Sequence, residues 1–220
     1  MESNNYIISI SKQVLSELPV MSYPGKITLV DSAAVAHSAL RVLGQESVVG
    51  FDTETRPSFR KGRLHKVALM QISTEERCFL FRLNKIGICA DLKSFLENPD
   101  ITKVGLSVHD DFSVLRRTGE ISPQGFVDLQ KMVKEYDITD ISLQKIYAIL
   151  FGERISKTQR LTNWEADTLS DAQQAYAALD AWACLKIYHH LRQGGFDPLS
   201  SPFRHKPDPA PTTHARSSNP

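Results

Sequence analysis

Short apolar runs and helically spaced apolar residues alternate along this chain, with the runs concentrated in its first half. A run of four to eight apolar residues between polar ones predicts a buried strand. The first such run covers 48–51, and the polar stretch 73–77 predicts a hairpin between the next two. The further predicted strands are 66–73, 78–83, 101–106 and 125–130.

Helical spacing of apolar residues occurs in five segments, the longest of which lies near the end of the chain. In 31–44, Asp31 is the expected N-cap and Gly44 the expected end of a helix, because Asp favours the cap and Gly the stop. Gly119 ends a second predicted helix over 110–119. The remaining predicted helices cover 90–100, 142–150 and 170–193. This order of elements predicts an α/β domain, in which helices flank a mixed central β-sheet.

Two acids follow the apolar run at 48–51 directly. Asp52 and Glu54 are two residues apart, and side chains in a strand alternate between faces, so both carboxylates point the same way. Two negative charges in a poorly solvated place resist joint ionisation. We therefore expect a positive group beside Asp52 and Glu54.

Composition limits the class of protein and its compartment. The 220 residues are 41% hydrophobic and 23% charged, with a net charge of +1, so no global charge excess indicates a polyanionic partner. Three widely spaced cysteines fit neither a disulfide framework nor a zinc pattern. No segment approaches the length of a membrane span. We expect a cytoplasmic protein that has no membrane partner.

The chain is expected to hold one folded domain over residues 1–196 and a tail over residues 197–220. The tail is rich in Pro and Ser and has few groups to bury, so we expect it to be disordered. The domain has no glycine-rich phosphate loop, which disfavours P-loop and dinucleotide-binding folds.

Three further acids stand next to apolar sequence. Asp110 and Asp111 lie just past a predicted strand, where an N-cap role is the alternative to a functional one. Asp180 lies among alanines of the last predicted helix, four residues after Tyr176, so the two share one face. A buried carboxylate needs a partner or a metal. For each acid taken singly, pairing with a nearby Arg or Lys is the alternative.

Together these residues resemble the DEDD-superfamily 3′→5′ exonucleases, in the tyrosine (DEDDy) subgroup. The resemblance covers roughly 27–191, and is closest to the exonuclease domain of the Werner syndrome protein and to ribonuclease D. The segment 161–191, with Asn163 and Trp164 ahead of the last helix, looks like the closing segment of that family. The motifs in order are Asp52-Thr53-Glu54, then Asp111, then Tyr176 with Asp180.

This resemblance implies a ribonuclease H-like (DnaQ-like exonuclease) fold and hydrolysis with two divalent metal ions. Mg²⁺ or Mn²⁺ is implied, because these ions prefer carboxylate oxygens. By family analogy Asp52 bridges the two ions, and Glu54 and Asp180 complete the first site. Alignment of 112–117 with the family helix assigns the second site to Asp111 rather than Asp110. Tyr176 is expected to orient the attacking water, since tyrosine is a poor general base at neutral pH.

Basic residues after the first motif and before the third are candidate contacts to nucleic-acid phosphates. For each of them a solvated loop is the alternative. Phe59 is a candidate for stacking on a base, whereas Trp164 and Trp182 are expected in the core. The basic candidates are Arg56, Arg60, Lys61, Arg63, Lys157 and Arg160.

The expected function is a metal-dependent 3′→5′ exonuclease that acts on DNA or RNA and releases nucleoside 5′-monophosphates. The alternative is an inactive exonuclease fold that binds nucleic acid or a protein; it predicts a missing metal ligand, and all four acids are present. A third hypothesis is an enzyme that degrades very short RNA oligonucleotides. It is disfavoured because such enzymes belong to the subgroup that has histidine at the position of Tyr176. A helicase or other nucleic-acid enzyme would be a separate partner chain.

Overall fold

The computed structural model describes residues 6–58 and 65–207, and a mixed sheet organises this part of the chain. Its strands are β1 (Ile7–Ile8), β2 (Lys26–Val30), β3 (Val48–Thr55), β4 (Val67–Ser73), β5 (Arg77–Phe81), β6 (Thr102–Gly105), β7 (Phe126–Asp128) and β8 (Arg204–His205). Six of them form one sheet in the order β2-β5-β4-β3-β6-β7. β4 is antiparallel to β3 and β5, and the other pairs are parallel.

Helices cover both faces of this sheet. They are α1 (Lys12–Glu17), α2 (Ala33–Leu43), α3 (Leu83–Ile86), α4 (Ala90–Glu97), α5 (Val108–Thr118), α6 (Leu129–Met132), α7 (Leu143–Phe151) and α8 (Asp171–Arg192). On one face, α2, α4 and α5 share an apolar core with Val49 and Phe51. On the other, α8 packs against β3, β4 and β5. Among the described residues, no helix is long and apolar enough to cross a membrane.

A glycine allows α8 to approach the central strand closely. A Cβ atom added to Gly50 of β3 would lie 1.9 Å from the carbonyl oxygen of Ala181 in α8, so backbone meets backbone at this point. The helix begins at a capping box, in which Ser170 and Gln173 satisfy each other's backbone N–H groups. The contact between Gly50 and Ala181 holds the turn of α8 that contains Asp180 against β3.

The predicted α/β class with a mixed sheet is confirmed, and each predicted strand and helix is present within a few residues of its expected bounds. The predicted N-cap of the helix over 31–44 is wrong, and so is the alternative that Asp110 or Asp111 caps the helix over 110–119. Ser32, not Asp31, is the N-cap of α2. Ser107, not Asp110 or Asp111, is the N-cap of α5, and its φ of 59° lies in the left-handed region. Ser32 directly follows Asp31, and Ser107 precedes Asp110 by three residues, so a nearby serine occupies the cap in each helix.

The predicted disorder of the tail is wrong for residues 197–207. The backbone N–H of Leu199 donates to the Asp197 side chain at the start of a 3₁₀ turn, Pro198–Ser200. β8 then pairs antiparallel with β1, and the Arg204 guanidinium lies 3.8 Å from the centre of the Tyr6 ring. A strand of two residues has no periodicity to reveal it in the sequence. Residues 208–220 lie outside the described residues.

Candidate active site

Three carboxylates meet where β3 passes under α8. Asp52 and Glu54 come from alternate positions of β3, and Asp180 comes from α8. One carboxylate oxygen from each of the three lies within 4.8 Å of the others. Glu54 and Asp180 are buried and Asp52 is partly buried. The strand alternation predicted for Asp52 and Glu54 is therefore present, and the fold adds Asp180 to the same face.

Asp111 lies beside this cluster and is held by the residue between the two strand acids. The Thr53 hydroxyl donates to Asp111 Oδ1 at 2.6 Å. Ser107, which caps α5, donates its backbone N–H to Asp128 at 3.0 Å and so fixes the start of the helix. The alternation that turns Asp52 and Glu54 to one side of β3 turns Thr53 to the other, toward α5. Asp111 thus stands next to the three acids without joining their group.

Burial and mutual repulsion make ionisation of the four acids unfavourable. Burial raises the pKa of Asp52 well above its usual range, and the charges of Asp180, Glu54 and Asp111 raise it further. Burial, with the charges of Asp180 and Asp111, raises the pKa of Glu54 to about 9. Burial also raises the pKa values of Asp111 and Asp180 to about 7. A positive charge next to these four carboxylates would therefore stabilise their ionised forms.

Two basic side chains supply part of that charge. Arg160 lowers the pKa of Glu54, and Lys157 lowers the pKa of Asp180, each opposing the larger effect of burial. Both line a cleft of about 300 Å³ that opens onto the acids. The other residues lining this cleft are Asp52, Thr53, Glu54, Leu106, Ser142, Leu143, Gln144, Ile155, Tyr176 and Asp180. Lys157 and Arg160 are thus two positive groups beside the acids.

Tyr176 presents its hydroxyl to the same cleft, one helical turn before Asp180. Burial raises the pKa of this hydroxyl, as do the charges of Asp180 and Glu54 and its hydrogen bond with Asp180. Trp164 is fully buried, as predicted, and its ring centre lies 6.0 Å from that of Tyr176. Tyr176 therefore keeps its proton at neutral pH and is a hydrogen-bond donor, packed on a rigid aromatic neighbour.

The sequence of this chain matches the model of a known protein family. The family described as 3′-5′ exonuclease matches residues 27–194, which is most of the chain. The chain belongs to the 3′-5′ exonuclease family. The resemblance inferred from the three ordered motifs is thereby confirmed.

Curated relatives of this exonuclease chain are larger proteins. The mouse bifunctional 3′-5′ exonuclease/ATP-dependent helicase WRN is 31% identical over 193 residues, covering 83% of this chain and 14% of the relative. Ribonuclease D of Haemophilus influenzae is 26% identical over 195 residues, covering 87% of this chain and 48% of the relative. The chain thus spans about half or less of the length of these two relatives.

Solved structures of exonuclease domains share the fold. The EXO domain of Nibbler from Aedes aegypti superposes with a TM-score of 0.71 at 22% identity, covering 82% of this chain and 96% of that one. Escherichia coli RNase D superposes with a TM-score of 0.68 at 23% identity, covering 76% of this chain and 44% of that one. The predicted ribonuclease H-like fold is confirmed.

The donor set of the exonuclease site fits a hard divalent cation. Three carboxylates offer oxygen ligands within reach of one ion, and among residues 6–58 and 65–207 neither His nor Cys joins this group. The raised pKa values of these acids also indicate a cation site, because a bound cation would stabilise the ionised carboxylates that the protein alone destabilises. Asp52, Glu54 and Asp180 are the residues that would hold such an ion.

The predicted substrate contacts differ in where the structure places them. Lys157 and Arg160 line the cleft. Arg56 instead faces Glu165, with Nη1 at 3.2 Å from Oε2. Phe59, Arg60, Lys61 and Arg63 lie outside the described residues. The contacts of all these residues with nucleic acid stay a prediction.

Sequence reasoning gave no role to two residues beside the acids. Thr53 donates a hydrogen bond to Asp111. The sequence feature that indicates this role is the position of Thr53 between Asp52 and Glu54, because strand alternation turns its side chain to the opposite face. Gln71 lies in β4 directly opposite Asp52. A polar residue in the apolar run 67–72 was a visible signal, but only the strand register shows what Gln71 faces.

In the presence of EDTA, the melting temperature is expected to fall as pH rises from about 5 to about 9. The folded-state pKa values of Glu54, Asp111 and Asp180 are raised, so these groups stabilise the fold below their unfolded pKa of about 4, and this contribution is lost as pH rises through the folded values. Scanning fluorimetry across this range measures the decline. The Glu54→Gln variant, which cannot ionise there, should show a shallower decline; an equally steep one would contradict the account.

Proposed function

We propose that this chain is a metal-dependent 3′→5′ exonuclease that hydrolyses the terminal phosphodiester of DNA or RNA and releases nucleoside 5′-monophosphates. The observation that carries the proposal is the meeting of Asp52, Glu54 and Asp180 within 4.8 Å, with Asp111 alongside. Membership of the 3′-5′ exonuclease family supports the same reaction. All four acids are retained, which favours an active enzyme over an inactive binding module.

Two divalent ions, Mg²⁺ or Mn²⁺, are the proposed cofactors. Asp52, Glu54 and Asp180 would hold the first, and Asp52 with Asp111 the second. When bound, such ions neutralise the acids and stabilise charge on the attacking and leaving oxygens of a displacement at phosphorus. The donor set and the raised pKa values of the acids support this assignment.

The protein's own groups then position the substrate and the water. Tyr176 retains its proton, so it orients the attacking water through its hydroxyl rather than removing a proton from it. We infer that Lys157 and Arg160 contact the phosphates of the 3′-terminal nucleotides, and their position in the lining of the cleft supports this role. These contacts are to the backbone, which both DNA and RNA possess. A solved relative, the RNase D of Trypanosoma brucei in complex with RNA U12, supports RNA as one substrate class.

A separate unwinding partner is part of the proposal. The mouse relative is named as both an exonuclease and an ATP-dependent helicase, and this chain spans 14% of it. We propose that a helicase on another chain would supply single-stranded 3′ ends. We also propose a reducing compartment such as the cytoplasm, since Cys78, Cys89 and Cys184 are all unpaired.

Polarity and product identity test the proposed reaction. Single-stranded RNA and recessed-end DNA are incubated with Mn²⁺, each with a free 3′-hydroxyl and, as the control, with a blocked 3′ end. We expect nucleoside 5′-monophosphates from the free ends and none from the blocked ends. Equal degradation of blocked substrates, or release of nucleoside 3′-monophosphates, would contradict the proposal.

Asp111 and its neighbour Asp110 form a matched pair for the second metal site. Asp111→Asn is expected to lower the hydrolysis rate on the order of 10²-fold or more, because it weakens a ligand of a charge-stabilising ion. Asp110 is exposed, and its side chain accepts a hydrogen bond from the Ser107 hydroxyl, so Asp110→Asn should leave the rate near that of the wild type. Single-turnover rates on one substrate make the comparison. The reverse order of effects would move the assignment to Asp110.

A further inference from the structure

Gln71 is a fully buried amide without a hydrogen bond. It stands in the middle of β4 and has no exposed surface. Neither its amide nitrogen nor its amide oxygen has a hydrogen-bond partner among the described residues. Buried side-chain amides are nearly always paired, because desolvation without a compensating bond is unfavourable. An unpaired Gln at this position calls for a functional explanation.

The strand register places Gln71 beside the acid cluster. Asp52 and Gln71 are directly opposite each other in the antiparallel pair of β3 and β4. Opposite residues project from the same face of a sheet, with Cβ atoms about 4.5–5.5 Å apart. Gly50, two residues before Asp52 and therefore on its face, meets α8. Gln71 thus lies under α8, on the side of the sheet where Asp52 and Asp180 converge.

The surroundings of Gln71 would accommodate an apolar side chain. Leu80 of β5 pairs with Gln71, and Leu69 lies two residues away on the same face of β4. Both leucines are fully buried in one apolar cluster. The buried Arg82, whose Nε also lacks a hydrogen bond among the described residues, still donates its two terminal amines to the carbonyls of Ala166 and Asp167, whereas both polar atoms of the Gln71 amide are unpaired. Packing alone therefore favours Leu or Met at position 71, and the amide is the feature to explain.

We propose that Gln71 is a positioning residue for Asp52. Its Nε2 would donate a hydrogen bond to the Asp52 carboxylate, and would so fix the orientation of an acid that the proposed function assigns to metal binding. The inference rests on the proposed function of the acid cluster. Groups that hydrogen-bond a metal-ligating carboxylate orient it and tune its affinity. Gln71 is uncharged, so it can do this without competing with the metal for the carboxylate.

The Gln71→Met variant tests the proposal, because Met matches the length of Gln and has no donor. Titration calorimetry with Mn²⁺ alone is expected to show binding weaker by about 10- to 100-fold, with a lower kcat on a single-stranded substrate. In EDTA its unfolding midpoint should equal or exceed that of the wild type, since two unpaired polar atoms are removed. Ser73→Ala is the control: Ser73 lies two residues along the same face and donates to the Thr74 carbonyl, so Mn²⁺ affinity should not change.

The outcomes separate this inference from the proposed function. Wild-type exonuclease activity with unchanged Mn²⁺ affinity in Gln71→Met would overturn the inference alone. A lowered unfolding midpoint with unchanged Mn²⁺ affinity would assign Gln71 a structural role and also overturn it. If the wild type neither binds Mn²⁺ nor shortens a 3′ end, the proposed function fails and the inference fails with it.

Discussion

Replacing Asp52 by Asn is expected to lower 3′-end hydrolysis by about 10³-fold or more, because charge stabilisation at the reacting phosphate is the largest contribution to catalysis. Asp52 stands at the centre of the site: it lies with Glu54 and Asp180 in one carboxylate group and is in electrostatic contact with Asp111. An amide at this position is neutral and cannot replace the negative charge that the carboxylate would offer to a divalent cation. Rates with Mn²⁺ and with Mg²⁺ measure the loss.

The same substitution should stabilise the metal-free protein at alkaline pH. The pKa of Asp52 is raised because its ionised form is unfavourable in the folded state, and Asn removes that charge. In EDTA at about pH 8 we expect a higher melting temperature for Asp52→Asn than for the wild type. Asp100→Asn, at an exposed position, is the control and should change neither quantity. A variant that retains activity, or that loses stability and activity together, would contradict the role assigned to Asp52.

Replacing Gly50 by Ala is expected to destabilise the fold by roughly 3 kcal/mol or more and to abolish activity. The added Cβ would lie 1.9 Å from the Ala181 carbonyl oxygen, and a backbone atom cannot rotate away as a side chain can. Relief requires α8 to move away from β3, which would carry Asp180 away from Asp52 and Glu54. Urea unfolding, together with the Mn²⁺-dependent rate, measures both effects.

Gly119 provides the matched control for this substitution. Its backbone is extended, with φ of −171°, and a Cβ there would meet only the Ile88 side chain at 3.4 Å or more, which is an ordinary contact. Gly119→Ala should therefore leave stability and activity close to those of the wild type. If Gly50→Ala were as harmless as Gly119→Ala, the close approach of α8 to β3 would not be what assembles the site.

Much of the site follows from local sequence, because local rules decide it. The two-residue period of a strand puts Asp52 and Glu54 on one face, and the four-residue spacing of a helix puts Tyr176 with Asp180. Their convergence is a tertiary effect that no period reports, since it depends on α8 touching β3 at Gly50. The sequence therefore predicts which acids share a face of one element, and does not predict how the strand and the helix meet.

Basic residues were harder to assign from sequence than acids. Arg56 follows the first motif directly, yet it pairs with Glu165 in the structure, whereas Lys157 and Arg160 reach the cleft from a distant segment. Long flexible side chains on loops carry no periodicity, so proximity in sequence is a poor guide to their position. The Pro- and Ser-rich composition of the tail predicted disorder, but residues 204–205 are ordered because β8 pairs with β1.

The most direct test of the central claim is degradation of substrates labelled at the 5′ end. Single-stranded RNA and recessed-end DNA are incubated with Mn²⁺, with Mg²⁺ and with EDTA, beside the Asp52→Ala protein. We expect a ladder that shortens from the 3′ end with a divalent ion, and intact substrate both with EDTA and with the variant. Intact substrate in every reaction, with metal-independent binding by both proteins, would contradict it and assign the fold to nucleic-acid binding alone.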